Sequence, residues 1–256
     1  MRAVVPSRTA DDELDLTGLV ATVSLRENPT YNHPPYIRVV GNGWQPPARF
    51  RYRGPRLLLK RGIDYGLALA GLIALAPVML CIALAVRLTS RGPILFRQWR
   101  MGRHGSQFQV LKFRTMRLDS EERLLADPEL YARYKANDFK LSIEEDPRIT
   151  RIGRFLRRSS LDELPQLVNV LHGEMSLVGP RPVLRDELDL YGPWVEAYMA
   201  VFPGVTGRWQ VEGRNNIRFP ERAELDARYA DEWTLRGDLS LIARTIPAVL
   251  RNEGVT

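Results

Sequence analysis

Cysteine is almost missing from this 256-residue chain, with Cys81 the only one. An internal disulfide and a zinc cluster built on cysteines are therefore excluded, and a reducing compartment suits the chain. Histidine is nearly as scarce. His33, His104 and His172 lie far apart in sequence, and each reads as a surface or packing residue. The chain also contains no G-x-x-x-x-G-K-[ST] loop, no G-x-G-x-x-G fingerprint, no H-E-x-x-H and no G-x-S-x-G elbow, so the commonest phosphate-loop, dinucleotide, metalloprotease and serine-hydrolase chemistries lack their signatures. A nucleophile other than Ser, Cys or His is indicated. No internal repeat or low-complexity tract appears.

What is present is ordinary in bulk. A hydrophobic fraction of 45% and a charged fraction of 26% describe a globular chain with one main domain and rule out wholesale disorder, a collagen repeat and a many-span membrane bundle. The net charge of +7 is unevenly distributed. Residues 51 to 118 carry 13 basic side chains against the single acid Asp64, and residues 148 to 158 carry five arginines and no acid. The rest of the chain is neutral or acidic. Two such zones attract phosphate, in a nucleic acid, a nucleotide or an anionic membrane surface.

From Leu67 to Val86 there are 20 residues without a charged side chain, enough for a helix of about 30 Å to cross a hydrocarbon core. Pro77 stands at the midpoint, where a kink or break is expected. Arg53, Arg56, Lys60 and Arg61 precede the run, and Arg87, Arg91 and Arg97 follow it. A spanning helix would leave one basic cluster outside, whereas a helix that enters, breaks near Pro77 and returns keeps both at the cytoplasmic headgroups. The re-entrant hairpin is the preferred reading over a buried core helix of a soluble domain. A signal peptide is disfavoured, because the run begins 66 residues in, behind Asp11, Asp12, Glu13 and Asp15.

Three parts follow from this: an extension over 1–56 with little core of its own, a membrane element over 57–91, and a domain over 92–256. The extension holds short strand-like pieces at Ala21 to Leu25 and Tyr36 to Val40. Residues 92 to 117 suggest a strand hairpin rich in cations, turning at Gly102 and Gly105. Ser120 to Lys135 reads as a solvated helix. Near the C-terminus, Leu239, Ile242, Ile246, Val249 and Leu250 beside Arg244 and Arg251 describe a helix that either lies at an interface or covers a core.

Residues 148 to 182, RITRIGRFLRRSSLDELPQLVNVLHGEMSLVGPRP, are the most informative. Arg148, Arg151, Arg154 and Arg158 recur at helical spacing beside Ile149, Ile152, Phe155 and Leu156, as in a cationic amphipathic helix or a solvated helix face. Asp162 and Glu163 follow directly. Ser160 and Glu163 have the spacing of a capping box, with Pro165 near the helix start. That local role is compatible with chemistry, since a helix N-terminus favours an ionised Asp beside phosphates and suits it to act as a nucleophile. In GPRP, residues 179 to 182, Arg181 stands between two rigid prolines, which reduces the entropy lost in a bidentate phosphate contact.

These pieces resemble the bacterial sugar transferase family, the monotopic phosphoglycosyl transferases that begin glycan assembly on polyprenol phosphate. The matching segments are KRGIDYGLAL with the later Pro77, GPILFRQWRMGRHGSQFQVLKFRTM, RIGRFLRRSSLDELPQLVNVLHGEMSLVGPRP, and PGVTGRWQVEGRNN at 203 to 216. They cover roughly three quarters of the chain, in the family's order. The resemblance implies a mostly helical, compact α/β catalytic domain with an N-terminal re-entrant membrane helix-break-helix and interfacial amphipathic helices. It implies transfer of a sugar 1-phosphate from a UDP-sugar to undecaprenyl phosphate with release of UMP, as the first membrane step of exopolysaccharide, O-antigen or other glycan assembly.

Carried over by residue, the resemblance makes Asp162 the nucleophile that forms a covalent phosphosugar. Glu163 is the Mg²⁺ ligand, with Asp162 beside the metal. Lys112, Arg157 and Arg181 become substrate-binding cations around the phosphates. The implied partners are the UDP-sugar, undecaprenyl phosphate, membrane lipid, downstream glycosyltransferases and a second copy in a homodimer, without nucleic acid. The implied location is the bacterial inner membrane, with the domain on the cytoplasmic face. One departure stands out: Ala76, where the family often has Ser, precedes Pro77, so no hydroxyl is available to satisfy a carbonyl freed by the proline. The resemblance places Asn215 and Asn216 near the region of sugar or nucleotide selectivity. Two other readings use the same residues: a non-catalytic membrane-anchored protein binding anionic lipid or nucleic acid, and a phosphohydrolase acting on nucleotide sugars.

Overall fold

Leu, Ala and Ile dominate residues 67–86, and Pro55 sits where a helix tolerates proline best, at its first turn. In the computed structural model this segment forms α1, Pro55–Thr89, a single helix of 35 residues. The structure describes residues 52–136, 141–212, 217 and 219–250, all within a unit spanning Gln45–Thr256. The strand-like pieces of the extension, and Asn215 and Asn216, lie outside the described residues.

Pro77 falls inside α1 without ending it. One stripe of the helix, Lys60, Asp64, Ala68, Ile82 and Val86, is buried at helical spacing. The opposite face leaves Leu69, Ile73, Leu80, Leu84 and Leu88 exposed. Of the most apolar 18-residue window only 11% is buried, which does not fit the core helix of a soluble domain.

The cation-rich segment forms the expected antiparallel hairpin, β1 (Leu95–Met101) with β2 (Gln107–Phe113). Its register pairs Phe96 with Lys112, Gln98 with Val110 and Arg100 with Phe108, so these six side chains share one face. Residues 120–136 form two helices rather than one, α2 (Ser120–Ala126) and α3 (Pro128–Ala136), because Pro128 disfavours helix at the residue before it.

The arginine-rich helix also starts later than its spacing suggests. It is α4, Arg151–Arg158, and the Thr150 hydroxyl caps it by accepting from Gly153 N at 3.0 Å. Arg148 lies before the helix, buried, with Nε and Nη2 each 2.8 Å from the two Asp146 carboxylate oxygens. It is a structural fork, not part of a cationic face.

After a short 3-10 turn at Leu161–Glu163 come α5 (Gln166–Leu171), β3 (Ser176–Val178), a 3-10 segment at Asp186–Trp194, α6 (Val195–Ala200), β4 (Gly204–Thr206), α7 (Arg208–Glu212), α8 (Glu221–Glu232) and α9 (Leu235–Leu250). Among the described residues the fold is mostly helical with two small sheets. The second sheet, in which β3 runs parallel to β4, has no counterpart in the sequence-based expectations. In α9 Leu239 is exposed while Asp238 and Leu241 turn inward.

Among the described residues α1 contributes to two apolar clusters. Ala68 packs with Phe108, Val110, Leu167, Val170 and Met175. Ile82 and Val86 pack with Phe113 and Leu156. Burying one such large side chain contributes about 1.5–3 kcal/mol. Buried polar contacts fix both ends of α1 to the same unit. Lys60 Nζ lies 2.7 Å from Asp238, which also accepts from Trp233 Nε1 at 2.9 Å. At the other end Arg114 Nη2 donates to the Ser90 carbonyl at 2.8 Å, satisfying a helix C-terminus that the dipole makes negative.

Candidate active site

The two basic zones of the sequence meet at Thr115. Its carbonyl accepts from Thr150 N at 2.9 Å, and its hydroxyl accepts from Arg157 Nε at 2.9 Å. Gly153 makes the approach achievable, since a Cβ there would lie 2.1 Å from the Thr115 carbonyl oxygen. Strand β2 and helix α4 are thereby locked together, and the chain leaves α4 toward Asp162 with Arg157 already placed.

Ser160 turns the chain through the left-handed region, φ 55, into the 3-10 turn holding both carboxylates. The capping box suggested by Ser160 and Glu163 does not form. Ser160 makes no side-chain cap, and the Glu163 carboxylate is drawn away to Lys112, whose Nζ lies 2.6 Å from Oε1. Arg181 Nη1 lies 3.6 Å from the same oxygen. A local hydrogen bond to one backbone N–H is weaker than two fixed cations in a half-buried site.

Lys112 is itself placed by Asn169. This buried side chain accepts from Leu111 N at 3.0 Å and donates to the Gln109 carbonyl at 2.8 Å and to Glu174 at 2.7 Å. It continues the open edge of β2 as a neighbouring strand would, tying the strand that carries Lys112 to α5. Arg181 arrives on the turn after β3. Gly179, which opens that turn, is pressed against Phe202–Gly204, with its Cβ position 2.1 Å from the Phe202 carbonyl.

Of the five residues expected at the site, Lys112, Glu163 and Arg181 line one small open cleft, together with Arg100, Val110, Gln166, Pro182 and Val205. Asp162 and Arg157 are not on this lining, but their charges reach it. Burial pushes the Asp162 carboxyl above the usual range and the Glu163 charge adds to this, against the opposing pull of Lys112, Arg157 and Arg181. Glu163 goes the other way: burial would raise it, but Lys112 and Arg181 together hold it below the usual range. Glu163 therefore keeps its charge, and Asp162 is first to take a proton as pH falls. Arg157 is shifted down by burial and up by Asp162.

Arg100 and Asn169 are the site residues that sequence reasoning missed. The signal for Arg100 is its register: four residues on from Lys112's partner Phe96, an even separation, it must share Lys112's face. For Asn169 the only signal is a polar residue inside the apolar run Leu167–Leu171.

Among the described residues no group of three metal-ligating side chains converges. Glu163 on the cleft lining, with the buried Asp162 next to it in sequence, fits the one or two carboxylates that Mg²⁺ takes when its remaining ligands are substrate phosphates and water. Such a site has its full ligand set only when a phosphate-bearing substrate is present.

A family model described as bacterial sugar transferase matches residues 55–252. The chain is 44% identical over 199 residues to the undecaprenyl-phosphate galactose phosphotransferase of Salmonella typhimurium, covering 77% of this chain and 41% of that protein. It is 39% identical over 201 residues to the UDP-glucose:undecaprenyl-phosphate glucose-1-phosphate transferase of Escherichia coli, covering 75% and 40%. It is 41% identical over 200 residues to the exopolysaccharide production protein ExoY of Sinorhizobium fredii, covering 76% and 87%. The chain thus spans well under half the length of the first two relatives and most of the third.

Proposed function

The chain belongs to the bacterial sugar transferase family, and from that membership and the site's chemistry we propose that it transfers a sugar 1-phosphate from a UDP-sugar to undecaprenyl phosphate in exopolysaccharide or related glycan synthesis. The observation that carries this reading is geometric: Lys112 at 2.6 Å and Arg181 at 3.6 Å converge on Glu163, the immediate neighbour of Asp162, on the wall of one cleft. Lys112, Arg157 and Arg181 all act on Asp162, although they come from three separate stretches of sequence.

In the proposed reaction an Asp162 carboxylate oxygen attacks the β-phosphorus of the UDP-sugar. The bond from that phosphorus to the bridging oxygen breaks, UMP leaves with the electron pair, and a phosphosugar stays on Asp162. An oxygen of the lipid phosphate then attacks the same phosphorus and releases Asp162 unchanged. Every participant is an anion, so the barrier is dominated by charge repulsion, and fixed cations aimed at the phosphoryl oxygens lower it. Glu163 and Asp162 would hold Mg²⁺, which supplies further neutralisation of the diphosphate. The lysine that holds Glu163 ionised keeps it available for that role.

The domain, residues 92–256, would work at the cytoplasmic face of the inner membrane. Both ends of α1 are fixed to one globular unit, through Lys60–Asp238 and Arg114–Ser90, and its outer face is apolar. Both ends on one unit favour an α1 that does not span, because a spanning helix would carry its two ends to opposite sides; entry and return with a change of direction at Pro77 is part of the proposal, the helix itself being continuous through Pro77. Interfacial contacts of other helices, a homodimer and downstream glycosyltransferases belong to the same proposal.

The experiment is a screen for UMP release across UDP-sugars, using the full chain in detergent or lipid with undecaprenyl phosphate and Mg²⁺. Lipid-linked phosphosugar is the expected product. Free sugar phosphate without a lipid product would make the protein a phosphohydrolase, and absence of UMP with every donor would contradict the reading altogether.

A further inference from the structure

Arg100 lines the cleft with Lys112, Glu163 and Arg181, but its guanidinium is already engaged. Nη1 lies 3.2 Å from the Pro182 carbonyl oxygen and 3.2 Å from Glu187 Oε2, and Nη2 lies 2.6 Å from Gln98 Oε1. Pro182 directly follows Arg181. Glu187 Oε2 also accepts from Leu184 N at 2.7 Å, so one carboxylate holds both the arginine and the chain two residues past Pro182.

The neighbouring contacts repeat the pattern. Met101 N donates to the Val183 carbonyl at 2.9 Å. The Tyr198 hydroxyl donates to the Met101 carbonyl at 2.8 Å and accepts from Val183 N at 3.2 Å. Pro182 and Val183 are therefore stapled to the end of β1, and Leu184 is tied to it through Glu187. By contrast, among the described residues Arg181 has one carboxylate within ion-pair range, Glu163 at 3.6 Å, and its side chain is 39% exposed. Beyond that one long ion pair, a half-exposed guanidinium is aimed through its backbone, which is held by Arg100 on one side and by Gly179 against β4 on the other.

We propose that Arg100 is a positioning residue for Arg181: by holding the Pro182 carbonyl, and being held by Glu187 and Gln98, it fixes the turn from which Arg181 reaches the diphosphate of the donor. This rests on the reading of the cleft as a nucleotide diphosphate site. It assigns Arg100 no phosphate contact of its own, since its charge is shared with Glu187. The β1–β2 hairpin then carries two functions on one face, Lys112 holding Glu163 and Arg100 holding the Arg181 turn.

The test is a double-mutant cycle on UDP affinity, measured by calorimetry with the full chain in detergent micelles, alongside kcat and KM for the UDP-sugar turned over. Arg181→Gln is expected to weaken UDP on the order of 10- to 100-fold, the size of a lost hydrogen bond to a charged group. Arg100→Gln should weaken it by a similar or smaller factor, mainly in KM, and the double variant should be no weaker than the worse single one. Arg100→Lys keeps a donor for the Pro182 carbonyl and should restore affinity to within roughly threefold of wild type. Should Arg100→Gln fold poorly, Glu187→Gln and its combination with Arg181→Gln complete the same cycle.

Multiplicative losses in the double variant would show that Arg100 contacts phosphate independently and would overturn the proposal. So would unchanged UDP affinity in Arg100→Gln while Arg181→Gln is weakened. Unchanged affinity in Arg181→Gln, with UDP still bound by wild type, would overturn the role given to Arg181 and this inference with it. No UDP binding by wild type would instead sink the reading of the site as a whole.

Discussion

Lys112 and Glu163, 51 positions apart in sequence, meet at 2.6 Å in the wall of the cleft. Each side chain is 19% exposed, so the pair is screened less than a surface ion pair and it sets the charge of the whole site. Replacing Lys112 with Ala should leave Glu163 short of its nearest cation and allow its pKa to rise. Transfer activity is expected to fall by on the order of 10²-fold, with the protein still folded. Steady-state kinetics beside circular dichroism checks this, and near-normal kcat/KM in Lys112→Ala would show that the pair is only structural.

Asp162 should be a stability liability. Its carboxyl is pushed up by burial and by Glu163, so the folded state holds its proton at a pH where the unfolded chain, near 3.9, has lost it. The folded form therefore loses stability as pH rises from the unfolded value through the raised one, and the full penalty is present above both. Asp162→Asn is expected to abolish transfer and yet to raise the melting temperature at pH 8, with the gain vanishing near pH 3.5. In wild type the acid limb of kcat/KM should lie above the ordinary aspartate range. A melting temperature at pH 8 that falls on substitution would contradict the assignment.

Gly153 is where α4 rests on the strand-end residue Thr115. A methyl group there would meet the Thr115 carbonyl oxygen at 2.1 Å, and backbone cannot yield as a flexible side chain does. Gly153→Ala should cost about 1–3 kcal/mol of stability and displace Arg157, whose Nε is held by the Thr115 hydroxyl. Chemical denaturation and KM for the donor report the two effects separately.

The ends of α1 offer a test of membrane topology. If both stay with the domain, single cysteines at Arg56 and Arg91, in a Cys81→Ser background, should both be labelled by a membrane-impermeant maleimide in inside-out vesicles and neither in right-side-out vesicles. Labelling of one position from each side would mean that the helix spans.

The part of this site that could be read directly was the part written locally. The apolar pieces either side of Gly102 and Gly105 announce the hairpin, the adjacency of Asp162 and Glu163 announces a carboxylate pair, and Pro180 and Pro182 mark Arg181 as rigidly held. What escaped depends on partners distant in sequence. Arg97 and Arg100 look alike in the chain, but the register pairs Arg97 with Leu111 on one face and Arg100 with Phe108 on the face of Lys112. Ser160 and Glu163 have capping spacing, and only the arrival of Lys112 from β2 explains why the carboxylate turns away. Arg148 fits the arginine periodicity, yet Asp146, two residues upstream, takes it out of the helix.

The most direct test of the account is to trap the aspartyl phosphosugar. Wild-type protein is mixed with a UDP-sugar labelled in the β-phosphate, without lipid acceptor, then quenched in acid and digested. The account predicts label on the peptide containing Asp162, released on prior addition of undecaprenyl phosphate and absent in Asp162→Asn. Normal turnover with no labelled peptide, or label that survives in Asp162→Asn, would contradict it.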